Sequence, residues 1–340
     1  MLRAKALDVD VVVNLKARRG SRAVADKCRR ELPGARVLTS RSLDEAARFA
    51  REASPDALLV SAGGDGTALG LLNSLRRGVA RLGVLPLGTG NAWAHAMDAP
   101  GWRTAVESLG EAVARGDTLP MRRFELVEVA FPGSGPSTIA HFAGTGWDAE
   151  IIDDFHQQKS GFGVLPGAWR HGIAGYFQGL LLRTIPRHLR SGVLPEVELV
   201  NEGSDALTVD DEGRAVPMVG GEHGKVLYRG PTNVCAAGTA PTWGFGFRAF
   251  PFAGLVPGRI CLRVYAGRAG EATLNMRRLW RGTHPMPKMY TFLVDKVRAR
   301  FSRPVPFQAG GDRLGTRDEI VYGLAREQVD LVDWRRLGRA

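Results

Sequence analysis

The chain reads as an α/β N-terminal domain with a parallel sheet and glycine-rich phosphate loops, followed by a β-rich, sandwich-like second domain. Three observations predict this. Over residues 1–120 short apolar runs alternate with helical patterns, the signature of strands flanked by helices. Past Pro120 the texture changes to strand-like segments punctuated by Gly and Pro. Two glycine-bearing turns also follow successive apolar runs, at the sheet edge where α/β folds bind ligands.

A length of 340 residues suggests two domains, taken as 1–120 and 121–340, with the option that the last ~30 residues pack back on the first. In the first domain Val9 to Leu15, Ala35 to Thr39, Ala57 to Ala62 and Leu82 to Leu87 are continuous apolar runs of the kind buried on both faces. Ser42-Leu43-Asp44-Glu45 is a capping box that opens a helix expected to run through Ala53. In the second domain Phe124 to Phe131, Thr138 to Ala143, Asn233 to Ala237 and Ile260 to Tyr265 read as strands. Gly161 to Arg190, with Trp169, Tyr176 and Phe177, reads as a buried or cleft-lining helix in preference to a membrane-surface one.

The formal net charge of +11 favours anionic partners: nucleotide phosphates, nucleic acid or acidic lipid surfaces. Cys28, Cys235 and Cys261 are widely spaced and odd in number, which argues against a disulfide framework or zinc site and for a reducing cytosol. No apolar signal core and no stretch approaching ~18 uninterrupted apolar residues are present, so membrane contact is expected to be peripheral.

The sharpest chemical feature is Gly63-Gly64-Asp65-Gly66-Thr67, which leaves a buried strand and enters a helix expected to begin near Thr67, with Thr67 able to cap it. Glycines let the backbone approach a ligand closely, and the N–H groups of a helix start attract phosphate. A carboxylate here would repel phosphate unless Asp65 coordinates Mg²⁺ or accepts a proton from an attacking hydroxyl. The plainer alternative is an ordinary strand-to-helix turn. The second turn, Leu85-Pro86-Leu87-Gly88-Thr89-Gly90-Asn91, offers Thr89 and Asn91 as donors to phosphate or ribose, against a plain turn with Asn91 as a helix N-cap. The first run ends at Asn14-Leu15-Lys16-Ala17-Arg18-Arg19-Gly20, which sets Lys16 and Arg18 beside the same edge as phosphate-neutralising cations or as a solvated charge run.

These turns together resemble the diacylglycerol and sphingosine kinase catalytic domain. His141-Phe142-Ala143-Gly144-Thr145-Gly146-Trp147-Asp148-Ala149-Glu150 is similar to that family's entrance to its second domain, and Ala174-Gly175-Tyr176 to the helix that follows. Pro304-Val305-Pro306-Phe307-Gln308 resembles the strand before its acidic Asp-Gly-Glu motif. The resemblance implies nucleotide contacts at Asn14, Thr39, the loop from Gly63 to Thr67, and Thr89, to which our reading of the residues adds Lys16, Gly88 and Asn91. It implies ATP and Mg²⁺ as cofactors, a lipid hydroxyl as acceptor (diacylglycerol giving phosphatidic acid) and contact with anionic phospholipid headgroups. No nucleic-acid partner is expected, a homodimer is left open, and the location is cytoplasmic with peripheral membrane association.

Four departures stand against the resemblance. Asn14-Leu15 replaces the family's Asn-Pro, and Asn91-Ala92 replaces Asn-Asp. Gly310-Gly311-Asp312 lies over Asp-Gly-Glu, which leaves Asp312 as the turn's one carboxylate, either a proton acceptor and tentative Mg²⁺ ligand beside Asp65 or a mere turn residue. The acidic pair that holds a structural metal in bacterial members is missing near Val256-Pro257-Gly258-Arg259, so no such second site is expected. Two competing functions stay open: a soluble nucleotide kinase of the NAD kinase type, and a non-catalytic nucleotide or lipid-binding protein.

Overall fold

The computed structural model describes residues 7–17, 19–76, 79–88, 90–147, 149–150, 152, 186, 193–243 and 246–338. The helix expected over Gly161 to Arg190 lies, apart from Pro186, outside the described residues. The chain divides into two compact units, Met1–Phe124 with Arg326–Ala340, and Glu125–Ala325.

The first unit is a parallel sheet. Strands β1 (Val9–Asn14), β2 (Arg36–Ser40), β3 (Leu58–Gly63) and β4 (Val79–Pro86) are ordered β2-β1-β3-β4. The last long strand, β16 (Asp312–Val332), brings Gln328–Leu331 alongside β4 as a fifth parallel partner. Val11, Val12, Val13, Leu58 and Leu82 are fully buried, as continuous β-branched and leucine runs demand when helices cover both faces. Helices α1 (Arg22–Glu31) and α5 (Trp102–Arg115) pack together, as do α2 (Leu43–Arg51) and α3 (Asp65–Leu75).

Local chemistry explains where boundaries moved. Helix α2 starts where the capping box places it, because Ser42 Oγ accepts from Glu45 N at 3.2 Å. The Glu45 carboxylate, however, reaches back to Arg41 N at 3.1 Å, one residue beyond the cap, since Ser42 N already bonds Ser40 Oγ. The helix stops at Arg51, two residues before the expected Ala53. Within the apolar first strand, buried Asp10 is held by Arg36 through paired bonds of 2.7 and 2.9 Å, the bidentate geometry a buried carboxylate needs.

The second unit is antiparallel. Its described strands include β5 (Met121–Phe131, which enters it at Glu125), β6 (Ser134–Ala140), β7 (Phe142–Gly146), β8 (Glu196–Asn201), β9 (Leu207–Val209), β10 (Ala215–Pro217), β11 (Val226–Pro231), β12 (Val234–Gly238), β13 (Ile260–Tyr265), β14 (Met289–Val294) and β15 (Lys296–Ala309). Thr138 to Ala143, expected as one strand, is broken at His141, because β6 pairs with β5 while β7 inserts between β12 and β15. His141 is fully buried at this switch, and burial drives its imidazole pKa down to about 3, so it stays neutral. Strand β15 also changes partner, pairing with β8 through Phe301 and with β7 from Phe307, and Pro304 and Pro306 fall in the irregular stretch between. Proline has no N–H for a ladder, so the change occurs where a bond is already missing.

Cys28, Cys235 and Cys261 are free and buried. Burial pushes the Cys28 thiol up to about 11 and Cys261 up to about 12, so both remain protonated thiols at neutral pH. At about pH 8, a chromogenic thiol reagent is therefore expected to label none of the three in the folded chain and all of them in denaturant. Rapid labelling of the folded chain at one equivalent or more would contradict this packing.

Candidate functional site

Strand order places a crevice before any side chain is considered. The chain leaves β1 toward β2 on one side and β3 toward β4 on the other, so the carboxyl ends of β1 and β3 form the switch point where open α/β sheets bind ligands. The turns after β1, β3 and β4 all emerge at this edge.

Gly63 closes β3, Gly64 is the N-cap of α3, and Asp65 and Gly66 lie in its first turn. The helix thus begins at Asp65, two residues earlier than expected. Thr67 is its third residue and does not cap it. Its hydroxyl instead accepts from Asn14 Nδ2 at 2.8 Å, while Asn14 Oδ1 accepts from Lys16 N at 2.9 Å. Asn14 thereby ties the end of β1 to the start of α3. Its neighbour Leu15 donates its backbone N–H to Ser40 O at 2.9 Å, a bond that proline at this position could not make.

The turn after β4 is locked to the glycine loop. A Cβ on Gly88 would stand 2.4 Å from Gly64 Cα, a contact real Cβ atoms do not make. Leu87 N donates to Gly63 O at 3.1 Å, and Arg19 N of the first turn donates to Leu87 O at 3.1 Å. Asn91 has a left-handed backbone (φ 50°) and is buried. It occupies the N-cap position of α4 (Ala92–Ala96) but makes no side-chain cap bond. Its amide closes the turn on itself, accepting from Gly88 N at 2.9 Å and donating to Gly88 O at 3.1 Å. Asn91 is therefore committed to shaping the turn, neither capping the helix nor presenting a free amide.

The missing cap comes from Asp65, 27 residues earlier. Its two carboxylate oxygens accept from Ala92 N at 2.9 Å and Trp93 N at 3.2 Å. The Ala92 side chain is irrelevant to this bond, which uses only the backbone. Withdrawal from water raises the Asp65 carboxyl above the ordinary carboxylate range, partly offset by the two amides, which favour the anion. Each oxygen keeps further acceptor capacity.

The other expected residues are more scattered. Lys16 is exposed at the end of the first turn, and Thr39 is half-buried near the end of β2, one strand away from the switch point. Thr89 and Arg18 lie outside the described residues. In the second unit, Gly310 (φ 58°) and Gly311 (φ 90°) form a two-residue hairpin turn with Ala309 opposite Asp312. Buried Gln308 clamps it by accepting from Gly311 N at 2.9 Å, and Asp312 itself is exposed. Among the described residues no group of three or more His, Cys, Asp and Glu side chains is placed to hold a metal ion.

Residues 9–126 match the family model of the diacylglycerol kinase catalytic domain. A curated relative, an uncharacterized protein of Synechocystis sp., is 29% identical over 111 residues, which cover 32% of this chain and only 23% of that protein. By shape the chain is similar to a diacylglycerol kinase from Bacillus anthracis, with a TM-score of 0.57 at 13% identity, covering 96% of this chain and 97% of that one. It is also similar to yeast NADH kinase solved with NADH, with a TM-score of 0.53 at 13% identity, covering 98% and 87% respectively. An NAD kinase from Archaeoglobus fulgidus solved with ATP gives a TM-score of 0.50 at 14% identity, covering 97% and 96%. At these identities the structural likeness is one of fold alone.

The geometry of Asp65 makes a direct prediction. Asparagine at this position can accept from one amide but turns its NH₂ toward the other, setting donor against donor. Asp65→Asn should therefore destabilise the chain by about 1–3 kcal/mol in urea unfolding. An unchanged unfolding midpoint would show that the clasp contributes nothing.

Proposed function

We propose that this chain is an ATP-dependent kinase that phosphorylates a lipid hydroxyl, most simply diacylglycerol to phosphatidic acid. The observation that carries the reading is the meeting of three turns at one switch point, with Gly64 and Gly88 in backbone contact and the first turn of α3 heading the crevice. A helix start with glycines on both sides of Asp65 suits a polyphosphate, because N–H groups and the helix dipole both favour the anion. Exposed Lys16 and Arg19 at the first turn add cationic neutralisation.

In this reading ATP binds at the first unit. Mg²⁺ supplies neutralisation of the phosphate oxygens and arrives with the nucleotide, since one protein carboxylate plus phosphates is a usual environment for that ion. Asp65 is the residue suited to it, through the acceptor capacity its two amide bonds leave. Asn14 and Thr67 hold the first turn in register, and Gly63, Gly64, Gly66, Gly88 and Asn91 provide the close backbone approach. The acceptor's hydroxyl oxygen attacks the γ-phosphorus as the bond to the departing ADP breaks, and its proton passes to a carboxylate. Asp312 is our candidate for that acceptor. Positioning and charge neutralisation account for most of the acceleration in such transfers.

An NAD kinase-type activity is the second reading, favoured by the fold shared with the NADH and NAD kinases. The domain match over residues 9–126 supports the lipid reading over it. Radiolabelled transfer from ATP to a panel of diacylglycerol, monoacylglycerol, sphingosine, ceramide and NAD separates the two. We expect a labelled lipid and no labelled NADP, and labelled NADP alone would overturn the lipid assignment.

For Asp312→Ala we expect turnover to fall about 10²-fold or more with ATP affinity nearly unchanged, the pattern of a group used only in the transition state. Unchanged turnover and affinity would reduce Asp312 to a hairpin residue. Among the described residues no helix is long and apolar enough to cross a membrane. Contact with lipid is then expected to be electrostatic, so sedimentation with anionic vesicles should weaken as salt rises. Salt-independent sedimentation would contradict that mode of binding.

A further inference from the structure

The sheet of the second unit forks where β15 changes partner. Strand β15 pairs with β8 through Phe301 and with β7 from Phe307, while β11 pairs with β8 and β12 with β7. Only Thr232 and Asn233 link β11 to β12, so these two residues stand at the root of the fork. A cavity of about 210 Å³ lies there, lined also by Gly146 at the end of β7, Pro195 just before β8, and Pro304 and Pro306 of β15. An engineered cavity of about 150 Å³ in another protein takes up benzene, so this one has room for a somewhat larger molecule. Its walls are fixed: Thr232 N donates to Pro195 O at 2.8 Å, Trp147 N donates to Asn233 O at 3.0 Å, and the Asn233 side-chain amide donates to Gly267 O. Gly146 admits no side chain, because a Cβ would stand 1.9 Å from Asn233 O. The prolines add rigid surface with no N–H of their own.

Three side chains give this cavity its chemistry. Thr232 is only 2% exposed, yet its hydroxyl has no hydrogen-bond partner among the described residues, whereas buried hydroxyls ordinarily have one. Glu150 and Arg303 bring opposite charges to the same space. Arg303 is exposed, donates from Nη2 to Val193 O at 3.0 Å and keeps the rest of its donor fork. Glu150 is half-buried, and a carboxylate has roughly four lone-pair sites, so it can accept from an ammonium in addition to its contacts within the chain.

We propose that this cavity binds a small zwitterion, with its ammonium on Glu150, its acid group on Arg303 and the Thr232 hydroxyl, and its short body against the prolines. A simple anion would meet the Glu150 carboxylate, and a simple cation would meet the Arg303 guanidinium. A molecule carrying both charges gives each of them a partner of opposite sign as it leaves water. Two sources present this chemistry, a free amino acid and the ethanolamine headgroup of a phospholipid. The proposal concerns the second unit alone and does not depend on the kinase reading.

The test is calorimetric titration of the full chain with L-alanine, β-alanine, glycerophosphoethanolamine, propionate and propylamine. We expect at least one of the three zwitterions to bind about tenfold or more tighter than either singly charged probe, the scale of one added hydrogen bond to a charged group. Tighter binding of an alanine marks a free amino acid as the ligand, and tighter binding of glycerophosphoethanolamine marks a lipid headgroup. Arg303→Gln and Glu150→Gln should each remove that preference, and Thr232→Val, which deletes the hydroxyl at nearly constant volume, should weaken the zwitterion several-fold. No binding of any zwitterion, equal or tighter binding of propionate or propylamine, or an intact preference in Arg303→Gln would each overturn the assignment. Exposed Arg303 can be replaced without disturbing the core, so that variant and the wild-type comparison decide if either of the others does not fold.

Discussion

Gly64 and Gly88 approach so closely that a Cβ on Gly88 would stand 2.4 Å from Gly64 Cα and one on Gly64 3.2 Å from Gly88 Cα, and the carboxyl edge of the first unit's sheet is built around that contact. Once two turns from successive strands meet backbone to backbone, their hydrogen bonds have few partners left but each other. Leu87 N reaches Gly63 O, Arg19 N reaches Leu87 O, and the Asp65 carboxylate crosses to the start of α4. The result is a preorganised surface of amides and α-carbons, which an anion can approach without first displacing side chains. A methyl group on Gly88 would push the two turns apart.

Buried charge is handled differently in the two units. In the first, Asp10 is matched by Arg36 and Asp65 by two backbone amides, so each carboxylate has lost water and gained donors. In the second, Arg263 has lost water and, among the described residues, donates only to Ala249 O and Thr291 Oγ1.

Much of the first unit was legible in the sequence, because each signal was local. Strands β1 and β3 are apolar runs buried along their length, whereas β2, expected to be buried on both faces, begins at exposed Arg36 and is buried only at Ser40; Ser42 caps α2 three residues from its partner. What escaped was long-range. The fifth parallel strand comes from the far end of the chain, and its pairing with β4 follows from tertiary topology alone. Asp65 as the cap of α4 spans 27 residues, so proximity in sequence pointed to Thr67 and Asn91 as caps, whereas both side chains serve the turns. The break at His141 had no glycine or proline to announce it, since it arises from a change of strand partner. Arg263 sat unremarked inside Ile260 to Tyr265, a run read correctly as a strand, because nothing in a sequence tells whether an arginine's partner is absent.

The central claim is that the three turns of the first unit form an anion-binding surface for the triphosphate of ATP. Hydrogen exchange of the full chain with and without Mg-ATP tests it most directly, because it reports on backbone amides and requires no turnover and no identified acceptor. The account predicts added protection in peptides covering residues 14–20, 63–67 and 87–92, with the largest change at Gly64 to Gly66. Unchanged exchange in all three segments at saturating nucleotide, or protection confined to the second unit, would contradict it.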